Sequence, residues 1–174
     1  MNLDSFLKKL KKHIENEIPN ISETNAKFLR DLIKISKTKN MLEITANYSA
    51  INFALELKEN GKLTTIEFSK LSYNTALENF KLAVLEIINA INNALDIIPK
   101  LKEKYDFVFI DGIKKRTKDF LELVWDKVEK DIIIIDDVIK FREKMIFWEY
   151  LEDNKITYNI IPIDIEDGIV MIVK

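Results

Sequence analysis

From residue 41 onward, short apolar runs alternate with longer amphipathic stretches. The runs Met41–Thr45, Lys62–Phe68, Leu85–Asn89, Tyr105–Asp111, Asp131–Asp137, Thr157–Ile163 and Ile169–Val173 predict strands. The stretches Ala50–Lys58, Lys70–Leu82, Ala94–Glu103, Lys118–Glu129 and Phe141–Asn154 predict helices between them. Such alternation builds a parallel sheet covered on both faces. Continuous runs such as Phe107–Ile110 and Ile132–Ile135 suit strands buried on both sides. Only Asp164 to Gly168 separates the last two strands, too little for a crossover, so they predict an antiparallel hairpin at one edge. Two helical segments come first. Leu3, Phe6, Leu7, Leu10 and Ile14 recur at helical spacing before Pro19, and Ser22 opens a second segment with Phe28, Leu29, Leu32 and Ile33 on its apolar face. With 174 residues and no repeat or linker, the chain reads as one α/β domain, its N-terminal helices in 1–38 and its core in 41–174.

Composition narrows the function. A net charge of −2 sets up no global field for nucleic acid. The absence of cysteine excludes disulfides, thiolate metal sites and a thiol nucleophile. The longest uninterrupted apolar run is far too short to cross a bilayer, so no membrane association and a cytoplasmic location are expected. Glycine is scarce: average usage of about 7% predicts roughly 12. The chain has 3, at Gly61, Gly112 and Gly168.

In an open parallel sheet, ligands bind beyond the carboxyl ends of the strands. Here those ends carry Glu43 and Thr45, Glu67 and Phe68, Asp111 and Gly112, and Asp136 and Asp137. Glu67, ending the second strand, can accept hydrogen bonds from a ribose diol or stand as a solvated carboxylate. Asp111, Asp136 and Asp137 can converge on a hard cation such as Mg²⁺, provided the chain turns after Asp136. They can equally cap helices or end strands. Lys114, three residues past Asp111, suits a general base in a metal pocket, or belongs to a plain basic turn with Lys115 and Arg116. His13 lies among lysines and reads as a surface residue. Phe141, Phe147, Trp148 and Tyr150 read as helix packing or as a subunit contact in a homodimer.

Taken in order, these segments resemble the class I S-adenosylmethionine-dependent methyltransferases. They are closest in pattern to the metal-dependent O-methyltransferase group of the catechol and caffeoyl-CoA enzymes. The segments are Leu42-Glu43-Ile44, Tyr48-Ser49-Ala50, Leu63-Thr64-Thr65-Ile66-Glu67, Glu78-Asn79-Phe80, Phe107-Val108-Phe109-Ile110-Asp111 and Ile133-Ile134-Ile135-Asp136-Asp137-Val138. The resemblance implies a Rossmann-like, seven-stranded, mostly parallel sheet with an antiparallel last strand and helices on both faces. It implies S-adenosylmethionine as cofactor, with Glu43, Thr45, Tyr48 and Ser49 toward its methionine end and Glu67 and Phe68 at the ribose. Asn93 and Ala94 would lie near the adenine, and Asp111 beside the cofactor. It implies Mg²⁺ or a similar ion on Asp111, Asp136 and Asp137, with Lys114 and Asp111 as catalytic residues. The ion would lower the acceptor's pKa, Lys114 would help remove the proton, and the oxygen would take the methyl group.

The implied acceptor is a small hydroxylated molecule or a hydroxylated tRNA base. For the latter, Lys114, Lys115 and Arg116, with Lys8, Lys9, Lys11 and Lys12, are candidate phosphate contacts. One departure from the family pattern stands out. Its first loop normally reads Glu-x-Gly-x-x-x-Gly-Tyr-Ser, whereas Ile44-Thr45-Ala46-Asn47-Tyr48-Ser49 is shorter and holds no glycine. A non-catalytic Rossmann-like partner module is therefore the alternative reading. A NAD-dependent enzyme would fit Glu67 but would leave Asp111, Asp136 and Asp137 idle.

Overall fold

The computed structural model describes residues 21–45, 48–57, 61–70, 73, 74, 76, 77, 88–91, 93–144, 146–163 and 168–174. The first helix described is α1 (Glu23–Ser36). The Ser22 side chain caps it by accepting the Asn25 amide at 3.1 Å, and Lys37 closes it in the left-handed region. Asn25, Ala26, Leu29 and Ile33 form its buried stripe. There follow β1 (Asn40–Ile44), α2 (Tyr48–Glu56), β2 (Lys62–Glu67), β3 (Ile88–Ile91), α3 (Ala94–Ile97) and β4 (Tyr105–Ile110). The chain ends with α4 (Thr117–Trp125), β5 (Val128–Ile135), α5 (Phe147–Asp153), β6 (Asn159–Pro162) and β7 (Gly168–Val173).

Seven strands form one sheet in the order β3-β2-β1-β4-β5-β7-β6. The first five strands in this order are parallel, and β7 runs antiparallel to both its neighbours. The expected edge hairpin is present. On one face Met41, Leu63, Phe107, Phe109 and Ile134 pack with Leu29 and Ile33 of α1 and Ile51 and Phe53 of α2. On the other, Leu42, Ile44, Ile66, Val108, Ile110, Ile133 and Ile135 pack with Leu121 and Val124 of α4 and Phe147 and Leu151 of α5. Both faces are buried, which is why these strands read as unbroken apolar runs. Alternation along the strands gives Glu43, Glu67, Asp111 and Asp136 the parity of Met41, Leu63, Phe109 and Ile134, the face covered by α1 and α2.

Several boundaries differ from the sequence reading. The third strand lies at Ile88–Ile91 rather than Leu85–Asn89, residues 85–87 being outside those described. The helix expected over Ala94–Glu103 stops at Ile97 and tightens into a 3₁₀ turn, Ile98–Lys100, at Pro99. The helix expected to reach Glu129 ends at Trp125, because β5 starts at Val128. Between the pairs Tyr105↔Val128 and Phe107↔Ile132 the ladder shifts register, and β5 advances four residues against two of β4. The bulge takes up polar residues that a regular strand could not place. The helix expected over Phe141–Asn154 divides into a 3₁₀ turn, Arg142–Lys144, and α5. The strand expected over Thr157–Ile163 contracts to Asn159–Pro162. The helix expected around Leu3–Ile14 and most of Lys70–Leu82 lie outside the described residues. Among the described residues no helix is long and apolar enough to cross a membrane.

Candidate active site

Four adjacent strands, β2, β1, β4 and β5, deliver their carboxyl ends to one rim. The ladder continues past them: Thr45 N–H donates to the Ile66 carbonyl at 2.8 Å, Asp111 N–H to Ile44 at 3.2 Å and Asp136 N–H to Ile110 at 3.0 Å. Extending the register Ile66–Ile44–Ile110–Ile135 by one residue gives a row Glu67–Thr45–Asp111–Asp136. Neighbours in such a row stand about 4.8 Å apart. Glu43 lies two residues before Thr45 on the same strand.

Glu43 is fully buried. Ser49 Oγ, in the first turn of α2, donates to its Oε1 at 2.5 Å, and Thr65 Oγ1 of β2 donates to its Oε2 at 2.9 Å. Burial pushes the carboxyl up to about 8 against the pull of those two hydrogen bonds. The nearby negative charges of Asp111 and Glu67 push it the same way. Glu43 thus enters the neutral range protonated. Glu67 is also buried and accepts the Ser69 amide at 2.7 Å.

At the other end of the row, Lys114 Nζ sits 2.6 Å from Asp111 Oδ1 and 2.8 Å from Asp137 Oδ2. Burial alone would lower its pKa, but the two carboxylates outweigh burial and hold it above its ordinary value. In this resting arrangement Lys114 is an ammonium. The chain does turn after Asp136, as convergence requires: Asp137 has φ 62°, a left-handed conformation that aspartate tolerates. Asp136 is buried, and its Oδ1 accepts both the Asp137 amide at 2.9 Å and Asn25 Nδ2 of α1 at 2.9 Å. Asn25 is completely buried, and its Oδ1 has no hydrogen-bond partner among the described residues.

The remaining sequence candidates spread along the same rim. Phe68 follows Glu67 with 48% of its surface exposed. Asn93 caps α3 by accepting the Leu95 amide at 3.2 Å, and Ala94 is buried behind it. Tyr48 opens α2; Ala46 and Asn47 lie outside the described residues. Of the basic turn, Lys114 points inward to the carboxylates, Arg116 pairs with Asp119 at 2.9 Å, and Lys115 is exposed with no ion pair among the described residues. Lys8 to Lys12 and His13 are outside the described residues.

The sequence reading placed Asn25 and Thr65 on their elements but gave neither a part in the site. Thr65 was legible as the polar residue between Leu63 and Glu67 on an inward-facing alternation. Asn25 was legible only as a polar residue heading the stripe that continues through Leu29 and Ile33.

Among the described residues no three carboxylate or imidazole side chains stand close enough to share a metal ion as arranged. Two carboxylates do converge, and they already hold a cation, the Lys114 ammonium. Oxygen donors of this kind suit a hard divalent ion. The donor set of Asp111, Asp136 and Asp137 therefore fits Mg²⁺ in its chemistry.

The comparisons with known proteins agree with this fold. Tapetum-specific methyltransferase 1 of Arabidopsis thaliana is 34% identical over 150 residues, spanning 78% of this chain and 64% of that protein. A catechol O-methyltransferase of Niastella koreensis is 29% identical over 136 residues, spanning 67% of this chain and 62% of that protein. This chain therefore spans somewhat less than two thirds of the length of these relatives. An O-methyltransferase of Bacillus cereus, solved in complex with SAH, superposes with a TM-score of 0.86 at 24% identity, over 100% of this chain and 93% of that one. TomG of Streptomyces achromogenes, an O-methyltransferase solved in complex with SAM, gives 0.81 at 19% identity, over 98% and 88%. The likeness to the two structures shows a shared fold. The model of the O-methyltransferase family matches residues 2–174, and the chain belongs to that family.

Proposed function

We propose that this chain is an S-adenosylmethionine-dependent O-methyltransferase that works with Mg²⁺ or a similar ion on a small hydroxylated acceptor. The observation that carries the reading is the row Glu67–Thr45–Asp111–Asp136, with a ribose-type acid at one end and the Asp111–Lys114–Asp137 cluster at the other. Family membership and the SAH- and SAM-bound fold neighbours support the cofactor.

In this reading Glu67 accepts the ribose hydroxyls and the exposed Phe68 ring lies beside the nucleoside. Asn93 and Ala94 border the adenine. Glu43, Thr45, Tyr48 and Ser49 border the methionine end, and Asp111 adjoins it from the next strand. An acidic rim complements a ligand that carries a sulfonium and an ammonium.

S-adenosylmethionine supplies an electrophilic methyl group, and its sulfur leaves as a neutral thioether. Asp111, Asp136 and Asp137 would hold the divalent ion, whose charge offsets the carboxylates and lowers the pKa of a nearby hydroxyl. With the ion in place of its ammonium on Asp111 and Asp137, Lys114 would give its own proton to solvent, stand neutral, and then take the acceptor's proton at Nζ. Most of the rate gain comes from holding these groups in line on rigid strand ends. The basic turn favours a small acceptor over tRNA, because Lys114 and Arg116 are engaged by carboxylates rather than presented to phosphates.

Calorimetric titration with S-adenosylmethionine, with and without Mg²⁺, tests the reading. Micromolar binding is expected. A chain that binds neither S-adenosylmethionine nor S-adenosylhomocysteine under either condition would instead be a non-catalytic module.

A further inference from the structure

Thr45 combines two features that ordinary folding does not explain. Its φ is 89°, a region that a β-branched residue occupies only under strain. Its Oγ1 is buried and has no hydrogen-bond partner among the described residues. Its backbone is held all the same, because its N–H donates to the Ile66 carbonyl at 2.8 Å. Register places it in the middle of the row, between Glu67 on β2 and Asp111 on β4.

The position corresponds to the first glycine of the loop pattern Glu-x-Gly. The backbone has kept the conformation that glycine serves, while the residue has become one that pays a conformational cost there. Strain of this kind persists where the surroundings over-determine it and a ligand uses it. A hydroxyl set between two acidic residues at the ligand rim is both a donor and an acceptor.

We infer that the Thr45 hydroxyl is a ligand-binding group of this chain that hydrogen-bonds a polar atom of the S-adenosyl ligand, in a place where the family's loop pattern has a glycine. This rests on the proposed cofactor. Bound ligand satisfies the hydroxyl, and the strain at φ 89° is the standing cost of holding it there.

The test compares wild type, Thr45→Gly and Thr45→Ser by thermal melting without ligand and by calorimetry with S-adenosylhomocysteine. Thr45→Gly is expected to raise the melting temperature of the free chain while weakening binding by roughly five- to tenfold, the fold-change of one lost hydrogen bond. Thr45→Ser keeps the hydroxyl and is expected to bind within about twofold of wild type, a small part of that one hydrogen bond. Equal or tighter binding by Thr45→Gly would overturn the inference, as would a lower melting temperature for that variant. If wild type itself fails to bind, the cofactor reading fails instead, and the melting result alone then reports on strain.

Discussion

Asn25 and Asp136 lie 111 positions apart in the chain, and the Asn25 amide donates a 2.9 Å hydrogen bond to the Asp136 carboxylate in complete burial. The same carboxylate oxygen accepts the Asp137 amide and so braces the left-handed turn that presents Asp137 to Lys114. Helix α1 thereby reaches the charged end of the site through one side chain. Removing it with Asn25→Ala is expected to cost about 1–3 kcal/mol, the range for depriving a buried charged acceptor of a donor. Asn25→Asp is expected to cost more at neutral pH, with part of the loss recovered in acid as the new carboxyl protonates. Melting curves of both variants across pH check this.

Lys114 bridges Asp111 and Asp137, the two carboxylates to which the proposed function gives a divalent ion. Lys114→Met leaves two carboxylates facing one another, and a loss of about 1–2 kcal/mol is expected, since the groups are partly solvated and screened. Added Mg²⁺ is expected to stabilise this variant more than wild type, because no ammonium competes for the carboxylates. Thermal shift against Mg²⁺ concentration reads the difference; an equal shift in both proteins would place the ion elsewhere.

Glu43 carries a pH dependence of definite sign. Its carboxyl titrates near 4.5 when solvated and is pushed up to about 8 in the fold. Between those values the folded chain holds a proton that the unfolded chain has lost. The contribution is complete below about pH 4.5 and falls as pH rises to about 8, by at most about 1.4 kcal/mol per pH unit. Glu43→Gln keeps the shape without the titration and is expected to flatten this slope and to be the more stable form at pH 8. Denaturant midpoints measured from pH 5 to 8, with that variant alongside, supply the comparison.

Gly112 follows Asp111 directly and lies against α4. A β-carbon there would stand 2.7 Å from the Phe120 ring, whose rigid edge has little room to yield. Gly112→Ala is expected to destabilise by about 1–3 kcal/mol through overpacking. The scarcity of glycine thus has a structural counterpart: this one is kept where close approach demands it. Chemical denaturation of the variant measures the loss directly.

The sheet was legible because strands buried on both faces advertise themselves as apolar runs, as at Phe107–Ile110 and Ile133–Ile135. Where polar residues interrupt the start of a strand, as Glu129, Lys130 and Asp131 follow Val128 in β5, the pattern shows only its apolar half and places the start too late. Glu67, Asp111 and Asp136 were legible as a rim, since each stands at or just past the carboxyl end of a strand. Their partners were not. Asn25 reaches Asp136 through packing of α1 across the sheet, and no spacing within the chain encodes that distance. The missing glycines at the first loop were visible in the sequence, but it took φ at Thr45 to show that the glycine-type conformation survives without its residue.

The most direct test of the account is methyl transfer itself. The purified chain is incubated with S-adenosylmethionine, Mg²⁺ and, separately, small hydroxylated molecules such as aromatic vicinal diols or tRNA carrying a hydroxylated base, and the products are weighed by mass spectrometry. The account predicts a diol product heavier by one methyl group on oxygen, stoichiometric S-adenosylhomocysteine, and loss of the product on Lys114→Met or on removal of Mg²⁺. Saturating S-adenosylmethionine binding with no methyl transferred to any hydroxylated acceptor would contradict it.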